Sequence, residues 1–112
     1  MTIGTDVNEE RMQLAKDLGL ADYVFNSMDP EACHAKIMEV TEGYGCERAV
    51  DCSANSSARA MAIRCTREWG KMVMVGEGND VTFNPSPDIM HGQKTIYGSW
   101  VTSLWRMEEL VE

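Results

Sequence analysis

Short apolar runs alternate with capped helical stretches along the whole chain, and that alternation restricts the fold more than any other feature. Residues 2–6, 22–25, 48–53, 71–76 and 94–101 read as strands. Helical patterns stand between the first three and after the third. Units of strand, helix and strand close as parallel pairs with right-handed crossovers. The expected fold is therefore α/β with a parallel sheet. The run Lys71-Met72-Val73-Met74-Val75-Gly76 is nearly all apolar, as suits a strand covered by helices on both faces.

The helix signals are local. Over residues 8–18, acidic Glu9 and Glu10 suit the first turn, Met12, Ala15 and Leu18 share a face, and Gly19 stops the helix. Asp29 caps a second helix with Pro30 at its first position. Cys33, Ile37 and Val40 form its inner stripe, and Gly43 ends it. Residues 44–47 read as a turn. Asn55 or Ser56 starts a third helix, with Ala58, Met61, Ala62 and Cys65 at helical spacing. Further on, Val81-Thr82-Phe83 reads as a brief extended piece, and Ser86 and Pro87 open a short helix through Met90. Ser103 can cap a last helix that carries Leu104, Met107, Leu110 and Val111 on one side.

The first strand ends in a carboxylate, Asp6, and a helix follows at once. In a doubly wound fold, a carboxylate there accepts hydrogen bonds from the cis hydroxyls of an adenosine ribose. It can equally cap the helix behind it. Asp51 also stands near a strand end, where it reads as a polar end at a sheet crevice. No G-x-S-x-G elbow is present, and neither His34 nor His91 has a nucleophile at a telling spacing.

Composition removes several classes. The 112 residues hold one domain at most. A formal charge of −8 argues against nucleic acid and anionic membrane surfaces as partners. No apolar run reaches spanning length, and the N-terminus has no signal-peptide pattern. Cys33, Cys46, Cys52 and Cys65 form no C-x-x-C pair, so reduced thiols and a cytoplasmic location are expected and a zinc site is not. Asn55-Ser56-Ser57 matches a glycosylation acceptor but reads as a helix start.

The glycine fingerprint G-x-G-x-x-G belongs about 20 residues before the ribose carboxylate. Only five residues precede Asp6. Gly76-Glu77-Gly78 lacks the third glycine and its helix, and Gly43-Tyr44-Gly45 follows a helix, so both read as turns.

Several segments, in order, resemble the nucleotide-binding domain of zinc-dependent medium-chain alcohol dehydrogenases. They are Ile3-Gly4-Thr5-Asp6, then Glu10 to Ala15 with Leu18-Gly19, then Thr41 to Gly45, Val50 to Ser53, and Trp69 to Gly76. Gly98-Ser99-Trp100 looks most like the threonine and polyol dehydrogenase branch. The resemblance implies a partial Rossmann-type parallel sheet over residues 1–112, without its first, central strand and without the glycine-rich loop. It implies NAD as cofactor. Asp6 would bind the adenosine ribose and repel a 2′-phosphate, with Arg11 over the ribose or adenine edge. Cys52 and Ser53 would line the floor, and Val75, Gly76 and Glu77 would sit by the nicotinamide ribose and carboxamide. Ser99 and Trp100 would offer backbone groups to that carboxamide. The zinc of the family lies in a separate domain, expected to be absent here, and zinc polarises the alcohol oxygen for hydride transfer. The chain alone is thus expected to be catalytically inactive and to bind NAD weakly or not at all.

Two alternatives fit these residues, a binding module and a domain of another enzyme class. One is a free-standing nucleotide-binding or interaction module. The other is a methyltransferase-like domain, whose S-adenosylmethionine ribose also meets an acid after the second strand, although the last three segments fit it poorly. Losing a central strand takes one neighbour each from the strands at 2–6 and 48–53. Unpaired buried backbone groups cost about 1–3 kcal/mol each. Three outcomes are expected: direct pairing of those strands, displacement of the first, or a second chain filling the gap, with homo-oligomers through exposed sheet edges.

Overall fold

In the computed structural model, residues 1–111 are described. Strand β1 (Ile3–Asp6) leads into helix α1 (Glu9–Asp17), then β2 (Tyr23–Asn26) and α2 (Pro30–Val40). After these come β3 (Cys46–Asp51), α3 (Ser56–Cys65) and β4 (Thr66–Met74). A single π-helical turn, Ser86–Met90, precedes β5 (Thr95–Gly98) and α4 (Leu104–Val111).

The caps decide where the helices begin. Asn8 accepts from the Arg11 amide, Asp29 from those of Glu31 and Ala32, and Asn55 from those of Ser57 and Ala58. At the end of α3, the Lys94 ammonium donates to the Ile63 carbonyl at 2.8 Å, a cation placed where the helix dipole favours one.

All strand pairs are parallel, as the alternation predicts, but they form two sheets. One is β1–β2 and the other is β3–β4–β5. Helices α2 and α3 tie the sheets together. Cys33 and Ile37 of α2 pack on Met61 and Cys65 of α3, with Ile3, Phe25 and Cys46 from the strands beneath them. An ion pair of 2.6 Å between Arg64 and Glu31 adds a surface link.

Two expected rearrangements of the gap do not occur among the described residues. Strands β1 and β3 do not pair with each other, and β1 is not displaced from β2. The gap persists as an open cleft of about 930 Å³ between them. It can persist because its walls are wet. Thr5 and Arg48 are exposed, and Val50 is 62% exposed, so the free backbone groups there keep access to solvent.

Smaller differences have local causes. Cys46 and Glu47 join β3 rather than a turn. Strand β4 starts five residues earlier than the apolar run. Its register against β3 jumps between the Cys46–Thr66 and Arg48–Lys71 pairs, and Trp69 there takes a positive φ of 59°. Val81 to Phe83 form no strand. Helix α4 forms, but its apolar residues find no cover, with Leu104 83% and Leu110 86% exposed.

Candidate functional site

In parallel α/β sheets, ligands meet the carboxyl ends of the strands. Asp6 ends β1, and Cys52 and Ser53 follow the end of β3. Val75, Gly76 and Glu77 follow β4, and Ser99 and Trp100 follow β5. Residues far apart in sequence therefore share one edge of the molecule, set there by strand polarity.

Asp6 does not cap α1; Asn8 does. The Asp6 carboxylate instead pins the turn between strand and helix. Its Oδ1 accepts from the Val7 amide at 2.7 Å and the Asn8 amide at 2.9 Å. Its Oδ2 faces the Arg11 guanidinium at 3.4 Å. The Asn8 amide bond is the main influence that holds this carboxyl below its usual range; slight burial opposes it, and the Val7 amide and Arg11 assist. Asp6 is thus an anion at neutral pH. Oδ1 is spent on the backbone, while Oδ2 has spare acceptor capacity.

The other strand ends are more fully occupied. The amides of Val75 and Gly76 both donate to the Asp51 carbonyl, at 2.8 and 3.1 Å. The Ser99 amide donates to the Met74 carbonyl at 2.9 Å, so what Ser99 can offer a ligand is its carbonyl and hydroxyl. Ser53 turns its hydroxyl to Asp51 at 2.6 Å. Cys52 carries an exposed thiol. A Cβ at Gly76 would collide with the backbone of Ala54, so this glycine serves a close approach of two strand-end turns.

Sequence reasoning missed the group that organises this edge. Arg59, 6% exposed in α3, donates from Nε to Asp51 Oδ2 at 3.0 Å. Its remaining nitrogens reach the carbonyls of Gly78 at 2.6 Å, Asn79 at 2.9 Å and Gly76. One guanidinium thereby fastens the end of β3 to the turn after β4. Burial pushes the Asp51 carboxyl up. The Ser53 hydroxyl and amide, Arg59 and the Ala54 amide outweigh it and hold the carboxyl below its usual range. The available signal was an aspartate at a strand end and an arginine eight residues on, in the first turn of the next helix.

The donor set does not fit zinc. Among the described residues, no three His, Cys, Asp or Glu side chains converge as metal ligands. Cys33, Cys46 and Cys65 lie in or against the apolar core. Burial pushes all three thiols up, Cys65 to about 12, whereas a metal takes the thiolate. Among the described residues, no helix is long and apolar enough to cross a membrane.

Known proteins match this arrangement over nearly the whole chain. A sequence profile described as zinc-binding dehydrogenase matches residues 1–112. An uncharacterized zinc-type alcohol dehydrogenase-like protein of Escherichia coli K12, YphC, is 43% identical over 107 residues, covering 96% of this chain and 30% of that protein. Alcohol dehydrogenase 2 of Oryza sativa subsp. japonica is 32% identical over 100 residues, covering 88% and 26%. The crystal structure of an alcohol dehydrogenase from the archaeon Aeropyrum pernix superposes with a TM-score of 0.84 at 30% identity, covering 97% of this chain and 30% of that one. The chain thus spans about 30% of the length of relatives such as YphC.

Proposed function

We propose, on the premise that this chain belongs to the zinc-binding dehydrogenase family, that it is the NAD-holding part of an alcohol dehydrogenase of the polyol and threonine type. Residues 1–112 are then a partial dinucleotide-binding domain. Bound NAD would supply the hydride acceptor for a secondary alcohol. The chain's own residues bind and orient it. Asp6 Oδ2 accepts from the adenosine ribose hydroxyls, and Arg11 flanks the same sugar. A 2′-phosphate at that place would meet the Asp6 charge, which favours NAD over NADP. Cys52, Ser53, Val75, Gly76, Glu77, Ser99 and Trp100 border the nicotinamide half at the neighbouring strand ends. Activation of the alcohol is not the work of these residues, since their donors do not fit zinc.

The observation that carries this reading is the Asp6 carboxylate, ionised and with one oxygen available at the end of a parallel strand. Amide NMR spectra of the chain, titrated with NAD, ADP-ribose, NADP and S-adenosylmethionine, test it. Weak binding of NAD and ADP-ribose is expected, with shifts at Val7, Asn8 and Arg11 that vanish in Asp6→Asn. No shift at these positions with NAD or ADP-ribose, or NADP binding as well as NAD, refutes the assignment. Binding of S-adenosylmethionine alone would favour the methyltransferase-like alternative. No NADH should form with an alcohol or threonine and the purified chain; its appearance would refute the division of labour.

A further inference from the structure

The turn that follows β4 has its peptide groups sorted by a single side chain. The carbonyls of Gly76, Gly78 and Asn79 all accept from the Arg59 guanidinium, the last two at 2.6 and 2.9 Å. Across a planar trans peptide the N–H points opposite to the C=O. The amides of Glu77, Asn79 and Asp80 share those three peptide planes, so they point away from Arg59. Among the described residues, these amides meet no acceptor. Each is a free donor on an exposed stretch of chain, at the strand-end edge where Ser53, Ser99 and Trp100 also stand.

The guanidinium decides this orientation. Glycines stand at 76 and 78, on the amino side of two of the planes, so a peptide flip there meets little steric resistance. Without the guanidinium, the carbonyls turn to water and carry the amides inward. Arg59 itself is held in place: it is 6% exposed, and its Nε donates to Asp51 at 3.0 Å. Two other bonds tether the turn without touching these planes. The Asn79 side-chain amide donates to the Ala54 carbonyl at 3.1 Å, and the Ser56 hydroxyl donates to the Asp80 carbonyl.

The charge of the turn selects the acceptor. Glu77 and Asp80 carry carboxylates on the same exposed turn and repel a phosphate. The free amides therefore suit a neutral oxygen, a ribose hydroxyl or a carboxamide oxygen, and the nicotinamide half of NAD carries both. From this geometry, and resting on the NAD reading above, we infer that Arg59 is a positioning residue for the nicotinamide half of the cofactor. It does so without touching the cofactor. Its hold on three carbonyls presents the amides of Glu77, Asn79 and Asp80 as donors for the neutral oxygens of that half.

Amide NMR titrations of the full chain and of Arg59→Lys, each with NAD and with ADP, test this. ADP keeps the adenosine ribose and lacks the nicotinamide half. Lysine keeps a cation beside Asp51 but cannot reach three carbonyls. In the unaltered chain both ligands should shift the Val7 and Asn8 amides, and NAD alone should shift those of Glu77, Asn79 and Asp80. In Arg59→Lys the ADP affinity should be unchanged, the NAD affinity should fall about fivefold, and the shifts in the turn should disappear. A purely structural role would weaken both ligands by the same factor. That result, an unchanged NAD affinity, or NAD shifts at Val7 and Asn8 without any in the turn would overturn the inference. If neither ligand moves Val7 and Asn8, the NAD reading fails and the role of Arg59 falls with it. Should Arg59→Lys not fold, solvent exchange in the unaltered chain decides. NAD, and not ADP, should slow exchange at Glu77, Asn79 and Asp80; equal rates with the two ligands would overturn the inference.

Discussion

Replacing Arg59 by methionine should cost about 3 kcal/mol of stability. The side chains of Asp51 and Arg59 are 4% and 7% exposed, so this is a buried pair. Removing one partner of such a pair costs about 3–5 kcal/mol because the other charge stays buried. Asp51 keeps the Ser53 hydroxyl and the amides of Ser53 and Ala54, which places the loss at the low end. The carbonyls of Gly78 and Asn79 lie in an exposed turn and can rotate to water, so they add little. A loss of this size is a large share of the roughly 5–15 kcal/mol that holds a small domain together. Urea unfolding followed by circular dichroism measures it. The midpoint should fall with the slope unchanged. The pH dependence supplies a second reading. Asp51 has a folded-state pKa below its unfolded value, so its stabilisation is full above the ordinary carboxylate range and is lost as pH falls through the folded value. The deficit of Arg59→Met should therefore shrink below about pH 4. The double variant Asp51→Asn, Arg59→Met should lose less than the two single losses summed. A loss under about 1 kcal/mol for Arg59→Met at pH 7 would refute the idea that this pair fastens the strand ends.

Three further outcomes are expected. Asn55→Ala removes the acceptor for the Ser57 and Ala58 amides and should cost about 1 kcal/mol in the same urea assay. Gly76→Ala drives a methyl group into the Ala54 backbone and should cost about 1–3 kcal/mol, with amide shifts confined to the turns after β3 and β4. At pH 8 a thiol–disulfide reagent should label Cys52 first, the half-buried Cys46 more slowly, and Cys33 and Cys65 only on unfolding. Labelling of all four at one rate in the native chain would contradict the buried cluster.

Much of the fold was legible because its signals are local. Asp29 before Pro30 and Asn55 before Ser56 mark helix starts by chemistry that acts within three residues. The apolar run at 71–76 marks a strand in the same way, but not one covered on both faces, since only Met72 in it is buried and Val75 is exposed. The early start of β4 was hidden, because Arg67 to Gly70 bulge against β3 by a register jump that no periodicity records. Asp6 was legible as a candidate ligand group. Its duty as a turn anchor was not, since Asn8 two residues on competes for the capping position and only coordinates decide between them.

The sequence by itself determined the alternation of strands and helices, the parallel polarity that follows from it, and the acid at the first strand's tip. These depend on propensities and spacings within one or two turns of chain. The tertiary structure alone decided that β1 and β3 stand apart around an open cleft, and that Arg59 fastens the end of β3 to the turn after β4. Both outcomes depend on which groups α2 and α3 bring together across long stretches of chain, and on whether solvent reaches the backbone left between them.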